Sequence, residues 1–343
     1  MTLKELSKVL GLSQTTVSRA LNGYPEVSET TRSRVREAAE RHAYRPNARA
    51  KGLATGRAMA IGHVIPQSIR HETVNPVFGD FIAGAGETYA RSGYEMVLAF
   101  IEKDESEVYR TFKARGSVDG IVVHGPRLND PRLRQLADIG LPFVVHGRSS
   151  GLDIPYSWLD VNNRSAFHRA TRFLLDLGHR RIGLVNGLEE MDFAFRRRRG
   201  YEQALTEHGL PIDPALIAAD EMTEFHGYRS ARAMLALPDP PTAFLAASMI
   251  CTLGVRRATD ESGLVCSRDV SIVTFDDSLS YLQNGQDVPI YTATRSSVRE
   301  AGRRTARMLI DRIQTPDTPH RQELLEAQLV VGLSTGPVPN RQG

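Results

Sequence analysis

The chain has 343 residues, of which 41% are apolar, so it can bury a full core, divided into two or three domains, and we expect a globular protein and not a disordered one. Its net charge of +3 is unevenly distributed. Residues 1–57 carry eleven Lys/Arg and five Asp/Glu, whereas the rest of the chain carries 32 Lys/Arg and 35 Asp/Glu. This concentration of positive charge predicts a nucleic-acid partner for the N-terminal segment. The only two cysteines, Cys251 and Cys266, have no CxxC spacing, which favours two reduced thiols over a disulfide framework or a zinc site.

The N-terminal stretch MTLKELSKVLGL alternates charged and apolar residues, so it predicts neither a signal peptide nor a membrane anchor. No later apolar run approaches the roughly 20 residues that a membrane-spanning helix needs. We therefore expect a cytoplasmic protein with no membrane partner.

The first 45 residues predict three short helices. Gly11 ends the first, and Ser13 and Ser28 can cap the second and third. The apolar positions at helical spacing are Leu3, Leu6, Val9 and Leu10, then Val17, Ala20 and Leu21, then Val35, Ala38 and Ala39. The second helix is short and turns polar residues outward, which predicts a helix-turn-helix unit that places this helix in the major groove. A small helical bundle with a solvated polar face is the alternative.

Two segments of the chain resemble one protein family. TLKELSKVLGLSQTTVSRALNG and VSETTRSRVREAAERHAYRPNARAKGLATGRAMAIGHVIP resemble the headpiece, linker and first core strand of the LacI/GalR family of bacterial transcription regulators, from Thr2 to Pro66. The most specific parts are TVSRALNG and YRPNARAKGLA, and weaker matches continue to about residue 335. Long stretches also resemble regulators of sugar-uptake operons, in particular the α-glucoside operon repressors of rhizobia.

The resemblance implies that the start of the second helix reads bases. Gln14 and Thr15 take the base-reading positions and Arg19 follows one turn later; Gln can bond adenine, and Arg can bond guanine in a bidentate way. The other expected DNA-binding residues of this region, several of them suited to phosphate contacts, are Thr2, Ser13, Thr16, Ser18, Asn22 and Asn47. Any of them could instead be an ordinary solvated residue.

The segment RPNARAKGLATG, residues 45–56, corresponds to the family's hinge. Pro46 to Ala54 are too few residues for a stable isolated helix, so we expect this helix to form only when two copies meet on DNA. The resemblance implies that Leu53 is a wedge in the minor groove and that Ala50 allows close approach. Gly52 departs from the family pattern and lowers helix propensity by about 1 kcal/mol relative to Ala. The alternative for Leu53 is packing on the core.

From residue 60 onward, short apolar runs alternate with polar loops and helical stretches. The candidate strands are 61–66, 95–100, 120–126, 142–148, 181–187, 242–248 and 271–277. This pattern predicts parallel sheets covered by helices on both faces.

The resemblance implies a periplasmic-binding-protein-like α/β core with two doubly wound parallel-sheet lobes. The all-α helix-turn-helix headpiece and hinge then occupy residues 1–57, and the effector-binding and dimerisation core occupies residues 58–343. Within the core, we place an N-lobe at about 58–160 and 292–323 and a C-lobe at about 161–291 and 324–335.

Ligands in open α/β sheets bind at the carboxyl ends of the strands. The polar residues at or near those ends are Ser68, His124, Arg148, Ser248 and Asp276. The resemblance adds Arg197 as the effector-binding arginine, with Asp276 as the first aspartate of the family's G-[FY]-D-D pattern. An arginine and an aspartate together offer paired donors and acceptors to vicinal hydroxyls, which is typical of sugar binding.

Phe78 and Phe193 stand at positions that line the pocket in relatives, and Met222 lies where relatives often place an aromatic residue, although each could be plain core. The other arginines of the run 196–199 are interpreted as a solvated helix start. Ser248-Met249 and Gly147-Arg148 depart from the family pattern, so the resemblance implies an effector pocket individual to this chain.

The chain shows no P-loop, no GxGxxG after the first strand and no paired Cys/His spacing, so we expect no enzyme, no cofactor and no metal. The favoured interpretation is a homodimeric repressor of a carbohydrate uptake or catabolism operon, which binds a palindromic double-stranded operator and is controlled allosterically by a mono- or disaccharide between the lobes. Two alternatives stay open: a regulator with a non-sugar effector such as a nucleobase, and a cytoplasmic sugar-binding protein. Inducer and corepressor action are both compatible with the sequence.

Overall fold

The computed structural model describes residues 1–21, 23–44, 56–66, 75–101 and 105–339. The chain divides into two units, Met1–Met59 and Ala60–Gly343. The first unit is the predicted headpiece, and its end lies close to the expected boundary at residue 57. None of the described helices is long and apolar enough to cross a membrane.

The headpiece contains three helices: α1 (Leu3–Leu10), α2 (Gln14–Leu21) and α3 (Glu29–Arg41). Gly11 ends α1 with a φ of +64°, a value that favours glycine. The hydroxyl of Ser13 accepts a hydrogen bond from the Thr16 backbone N–H at 3.0 Å, and that of Ser28 accepts one from the Thr31 N–H at 3.4 Å. Both predicted caps are therefore confirmed.

The headpiece core contains nearly all of the predicted apolar positions. Leu6, Val17 and Val35 are completely buried, and Ala20, Ala38 and Ala39 pack around them. Val9 is the exception, because it is 57% exposed. Successive residues of an α-helix are turned by about 100°, so Val9 points well away from the face that Leu10 shares with Leu6.

The N-lobe is built on one six-stranded sheet. Its strands are β1 (Ala60–Pro66), β2 (Glu95–Ile101), β3 (Gly120–His124), β4 (Phe143–His146), β5 (Ser157–Val161) and β11 (Gln322–Leu325). Their order is β11-β5-β4-β3-β1-β2, with all neighbours parallel. The helices are α4 (Pro76–Ser92), α5 (Glu105–Arg115), α6 (Pro131–Ile139) and α11 (Val298–Gln314).

The C-lobe repeats this architecture. Its strands are β6 (Ile182–Asn186), β7 (Ile217–Ala219), β8 (Ala243–Ala246), β9 (Ser271–Asp276), β10 (Thr292–Arg295) and β12 (Gln328–Val330). Their order is β12-β10-β9-β8-β6-β7, and only β12 is antiparallel to its neighbour. The helices are α7 (Asn163–Asp176), α8 (Asp192–Glu207), α9 (Glu224–Leu235) and α10 (Met249–Glu261), with a 3-10 turn at Pro214–Leu216.

Two separate apolar cores flank the C-lobe sheet. One contains Phe167 and Phe275, and the other contains Phe244 and Met249. Helices therefore cover both faces of the sheet, and the predicted doubly wound architecture is confirmed.

The predicted lobe boundaries need correction near the C-terminus. Residues 292–295 were expected in the N-lobe, but β10 pairs with β9 in the C-lobe sheet. Residues 324 and 325 were expected in the C-lobe, but β11 pairs with β5 in the N-lobe sheet through Leu325. The chain thus crosses between lobes after residue 295 and after residue 325, positions set by strand pairing distant in sequence.

Helices α4 and α11 of the N-lobe pack unusually closely against each other. A Cβ atom on Gly84 of α4 would lie 2.0 Å from the backbone oxygen of Arg299, and one on Gly302 of α11 would lie 2.2 Å from that of Phe81. Only glycine permits this approach. It holds the start of α4, with Phe78 and Phe81, beside the start of α11.

Candidate functional site

The second headpiece helix presents the polar surface that the sequence predicts. Gln14, Thr15 and Arg19 are exposed. Ser13 and Thr16 already hydrogen-bond to each other through their hydroxyls at 2.8 Å, and Ser18 is half-buried. The three side chains expected to read bases are therefore accessible on one helix.

Two arginines of the headpiece already make hydrogen bonds within it. The Arg34 guanidinium donates to the Leu10 backbone oxygen at 2.5 Å, and Arg32 donates to Glu29 and to the backbone oxygens of Tyr24 and Val27. Thr2 forms a capping box with Glu5, accepting from the Glu5 N–H at 3.3 Å. These groups stabilise the helices themselves.

Several predicted residues lie outside the described part of the chain. They are Asn22, Asn47, Ala50 and Leu53, with the hinge at 46–54, and Ser68 of the effector set. Their roles stay predictions.

A cavity of about 370 Å³ lies between the lobes, at the carboxyl ends of the strands. Six predicted effector residues line it: Phe78, His124 and Arg148 from the N-lobe, and Phe193, Arg197 and Met222 from the C-lobe. Among the further lining residues that the sequence did not indicate are His146, Asp160, Asn163 and Asp277.

Arg197 is the buried cation of this cavity. Its Nε donates to Asn163 Oδ1 at 2.8 Å and its Nη1 to the Ala247 backbone oxygen at 2.7 Å. The guanidinium stacks 4.1 Å from the Phe275 ring centre and 5.0 Å from that of Phe193. Burial lowers the pKa of Arg197 to about 10, so it stays charged at neutral pH. In the described part of the chain its Nη2 has no partner, which leaves donors for a ligand.

Two aspartates beside the arginines have raised pKa values. Burial raises the pKa of Asp277 to about 7, against the opposing charge of Arg197. Burial likewise raises the pKa of Asp160 to about 6, although Arg148 Nε donates to Asp160 Oδ2 at 2.9 Å. Near neutral pH these carboxyl groups can therefore accept hydrogen bonds, and Asp277 can also donate one.

Two predicted effector residues are not in the cavity lining. Asp276 accepts from the Ser278 N–H at 2.8 Å and from Arg295 Nε at 2.9 Å, so it fixes the end of β9. The next residue, Asp277, follows the end of β9 and lines the cavity instead. Ser248 is buried and accepts from the Cys251 N–H at 3.1 Å, which caps α10.

The cavity combines aromatic faces with neutral imidazoles. Phe78, Phe81 and Phe193 provide apolar walls. Burial lowers the pKa of His146 to about 4 and that of His124 well below its usual value, so both rings are uncharged near neutral pH. The site can thus hold a ring with an apolar face and a polar edge.

Comparison with known proteins agrees with this architecture. Residues 2–47 match "Bacterial regulatory proteins, lacI family", and residues 171–335 match "Periplasmic binding protein-like domain". The HTH-type transcriptional regulator AglR of Rhizobium meliloti (strain 1021) is 46% identical over 341 residues, covering 99% of this chain and 95% of AglR. The chain belongs to the LacI family.

This LacI-family chain is a DNA-binding transcriptional regulator and not an enzyme. A solved CelR-cellobiose complex is 29% identical with a TM-score of 0.72, covering 97% of this chain and 99% of that one. The lac repressor dimer bound to operator and the anti-inducer ONPF has a TM-score of 0.80 at 23% identity, covering 98% and 99% of the two chains, and shows the shared fold.

Proposed function

We propose that this LacI-family regulator represses a carbohydrate uptake or catabolism operon, that it binds a palindromic operator as a homodimer, and that a mono- or disaccharide between the lobes controls it. Such a regulator acts in the cytoplasm, where the chromosome lies. The observation that carries the sugar assignment is that the Arg197 guanidinium and the Asp277 carboxyl line the same cavity beside aromatic walls.

The chemistry of the cavity favours a polyhydroxylated ring. Vicinal hydroxyls both donate and accept, so they can pair with Arg197 Nη2 and with Asp277 at once. The apolar face of the same ring can pack on Phe78 or Phe193. A volume of about 370 Å³ is within the range of small-molecule pockets. The similarity to CelR, which was solved with cellobiose, supports the same ligand class.

Control requires that the effector favour one arrangement of the lobes. A ligand shifts an equilibrium only by its difference in affinity for the two states. Because the cavity draws Phe78, His124 and Arg148 from one lobe and Phe193, Arg197 and Met222 from the other, a bound sugar contacts both lobes and is sensitive to their angle.

Calorimetry of the full-length chain tests the sugar assignment. The panel contains glucose, maltose, sucrose and cellobiose, with adenine and uracil as contrasting nucleobases. We expect binding of at least one sugar, with a matching change in operator affinity measured by fluorescence anisotropy. Binding of a nucleobase and of no sugar would favour the non-sugar alternative, since aromatic walls suit both ligand classes.

Substitution of the exposed base-reading residues tests the DNA interface. We expect Gln14→Ala and Arg19→Ala each to weaken binding to the cognate palindrome by about 1–3 kcal/mol per lost base contact, with sugar affinity unchanged. Fluorescence anisotropy on operator and on scrambled DNA measures the effect. Arg36→Ala removes the same charge from an exposed position of α3 and should lower both affinities in parallel. If the Arg19 variant behaves like this control, Arg19 does not read bases.

One edge of the N-lobe sheet, which pairs with no further strand among the described residues, supports self-association. β2 is the outermost strand, and Leu98 and Phe100, two residues apart on the same face, are 42% and 48% exposed. We expect Phe100→Glu to shift the dimer to a monomer in sedimentation and to weaken operator binding by roughly 100-fold or more, because the two headpieces are no longer linked. Ile212→Glu places the same charge at another exposed apolar residue and should leave the dimer intact. A dimeric Phe100→Glu protein would rule out this edge.

A further inference from the structure

A buried chain of three side chains ends at the cavity. His63 of β1 is completely buried, with its Nε2 at 3.0 Å from the Tyr89 hydroxyl and its Nδ1 at 2.9 Å from His124 Nε2. Tyr89, on α4, is also buried. Of the three, only His124 lines the cavity. The chain therefore connects the N-lobe interior to the effector site.

The imidazoles of His63 and His124 are both neutral near pH 7. Burial lowers the pKa of His63 to about 3 and that of His124 well below its usual value. A neutral imidazole has one N–H donor and one acceptor nitrogen. The two hydrogen bonds can therefore run from Tyr89 towards His124 or in the opposite direction, and the direction decides where the proton of His124 lies.

The tyrosine hydroxyl selects the direction. In the described part of the chain, His63 is the only partner of the Tyr89 hydroxyl. If His63 Nε2–H donated to Tyr89, the buried hydroxyl hydrogen would have no acceptor, which is unfavourable. If Tyr89 donates to His63 Nε2, then His63 Nδ1–H donates to His124 Nε2 and each group is satisfied. His124 then carries its proton on Nδ1.

We propose that Tyr89 and His63 are positioning residues that fix His124 in the Nδ1–H form, so that His124 donates a hydrogen bond to the effector. This inference rests on the proposed function of the cavity as the effector site. The effector then presents an acceptor, such as a sugar hydroxyl or ring oxygen, to His124, and a ligand with only a donor at that position is rejected. In the described part of the chain, Nε2 of His124 is bonded to His63, so Nδ1 is the ring nitrogen that can bind the effector.

Histidine NMR of the full-length, ligand-free chain tests the direction. Long-range ¹H–¹⁵N spectra of ¹⁵N-histidine-labelled protein distinguish protonated from unprotonated ring nitrogens, and His→Gln variants assign the signals. We expect His63 and His124 both to be protonated on Nδ1. Buried His226 is the internal reference for the other form, because its Nε2 lies 3.0 Å from the Asn186 backbone oxygen and must therefore carry the proton.

A Tyr89→Phe variant tests the origin of the bias. Without the hydroxyl, His63 Nε2 has no partner in either direction, so we expect a second His124 signal, protonated on Nε2. The dissociation constant of the tightest panel sugar should rise roughly twofold or more, because only one tautomer is competent. Tyr201→Phe is the matched control, since its buried hydroxyl donates to the Ile182 oxygen at 2.8 Å and does not line the cavity.

The outcomes separate this inference from the proposed function. A wild-type His124 protonated on Nε2 would overturn the inference, and so would a single unchanged Nδ1–H signal in Tyr89→Phe, because the hydroxyl would then not set the tautomer. If His124 is protonated on Nδ1 but the protein binds no sugar, the sugar assignment is wrong and the role of Tyr89 and His63 in fixing the His124 tautomer is unaffected.

Discussion

Arg197→Met is expected to abolish the response to the effector while operator binding without effector persists. The substitution removes the donors that Arg197 Nη2 offers to the cavity and keeps a side chain of similar length against Phe275. A hydrogen bond to a charged group contributes about 1.5–3 kcal/mol, so loss of two such bonds weakens sugar binding by about 100-fold or more. Calorimetry with the tightest panel sugar and anisotropy on operator measure the two effects.

The neighbouring arginine is the matched control. Arg198 is exposed to about one third and pairs with Glu189 at 2.6 Å and Glu202 at 2.7 Å, and it does not line the cavity. Surface ion pairs contribute about 0–1 kcal/mol, so Arg198→Met should respond to sugar like the wild type. An Arg197→Met protein that still responds at the wild-type sugar concentration would show that Arg197 is not a ligand contact.

The headpiece could be predicted almost completely from its sequence because its signals are local. The caps Ser13 and Ser28 and the C-terminal Gly11 act within four residues of their partners. Helical spacing then identifies the buried face. Val9 shows the limit of the method, since on a helix of eight residues one apolar position can fall outside that face.

The cavity could be predicted only in part because several of its residues depend on contacts distant in sequence. Asp160 lies on β5, a strand of five residues that the apolar pattern did not indicate. Asp276 and Asp277 are adjacent, and only the structure shows which one turns to the cavity. His63 meets Tyr89 and His124 across 26 and 61 residues, a contact that no local pattern encodes.

Substitution of the two adjacent aspartates should separate ligand binding from folding. Asp277→Asn replaces the carboxyl that lines the cavity. At pH 8, above the Asp277 pKa of about 7, we expect sugar affinity to fall about tenfold or more because a charged acceptor is lost. Asp276→Asn instead weakens the bonds to the Ser278 N–H and Arg295, so it should lower the free energy of unfolding by about 1–3 kcal/mol. Its effect on sugar affinity should be the smaller of the two.

The pH dependence of unfolding gives an independent test of the same pair. The pKa of Asp277 is about 7 in the folded chain and about 3.9 when unfolded, so the folded state binds more protons between these values. The contribution of Asp277 to the free energy of unfolding should therefore decrease as pH rises from 4 to 7, by up to about 1.4 kcal/mol per pH unit. Asp277→Asn removes this contribution, so its stability relative to wild type should increase with pH. Urea unfolding at pH 5 and pH 8 measures the difference. If the free energy of unfolding changes with pH equally in the wild type and in Asp277→Asn, Asp277 is ionised over this whole pH range. The assignment of a buried carboxyl that keeps its proton up to about pH 7 would then be wrong.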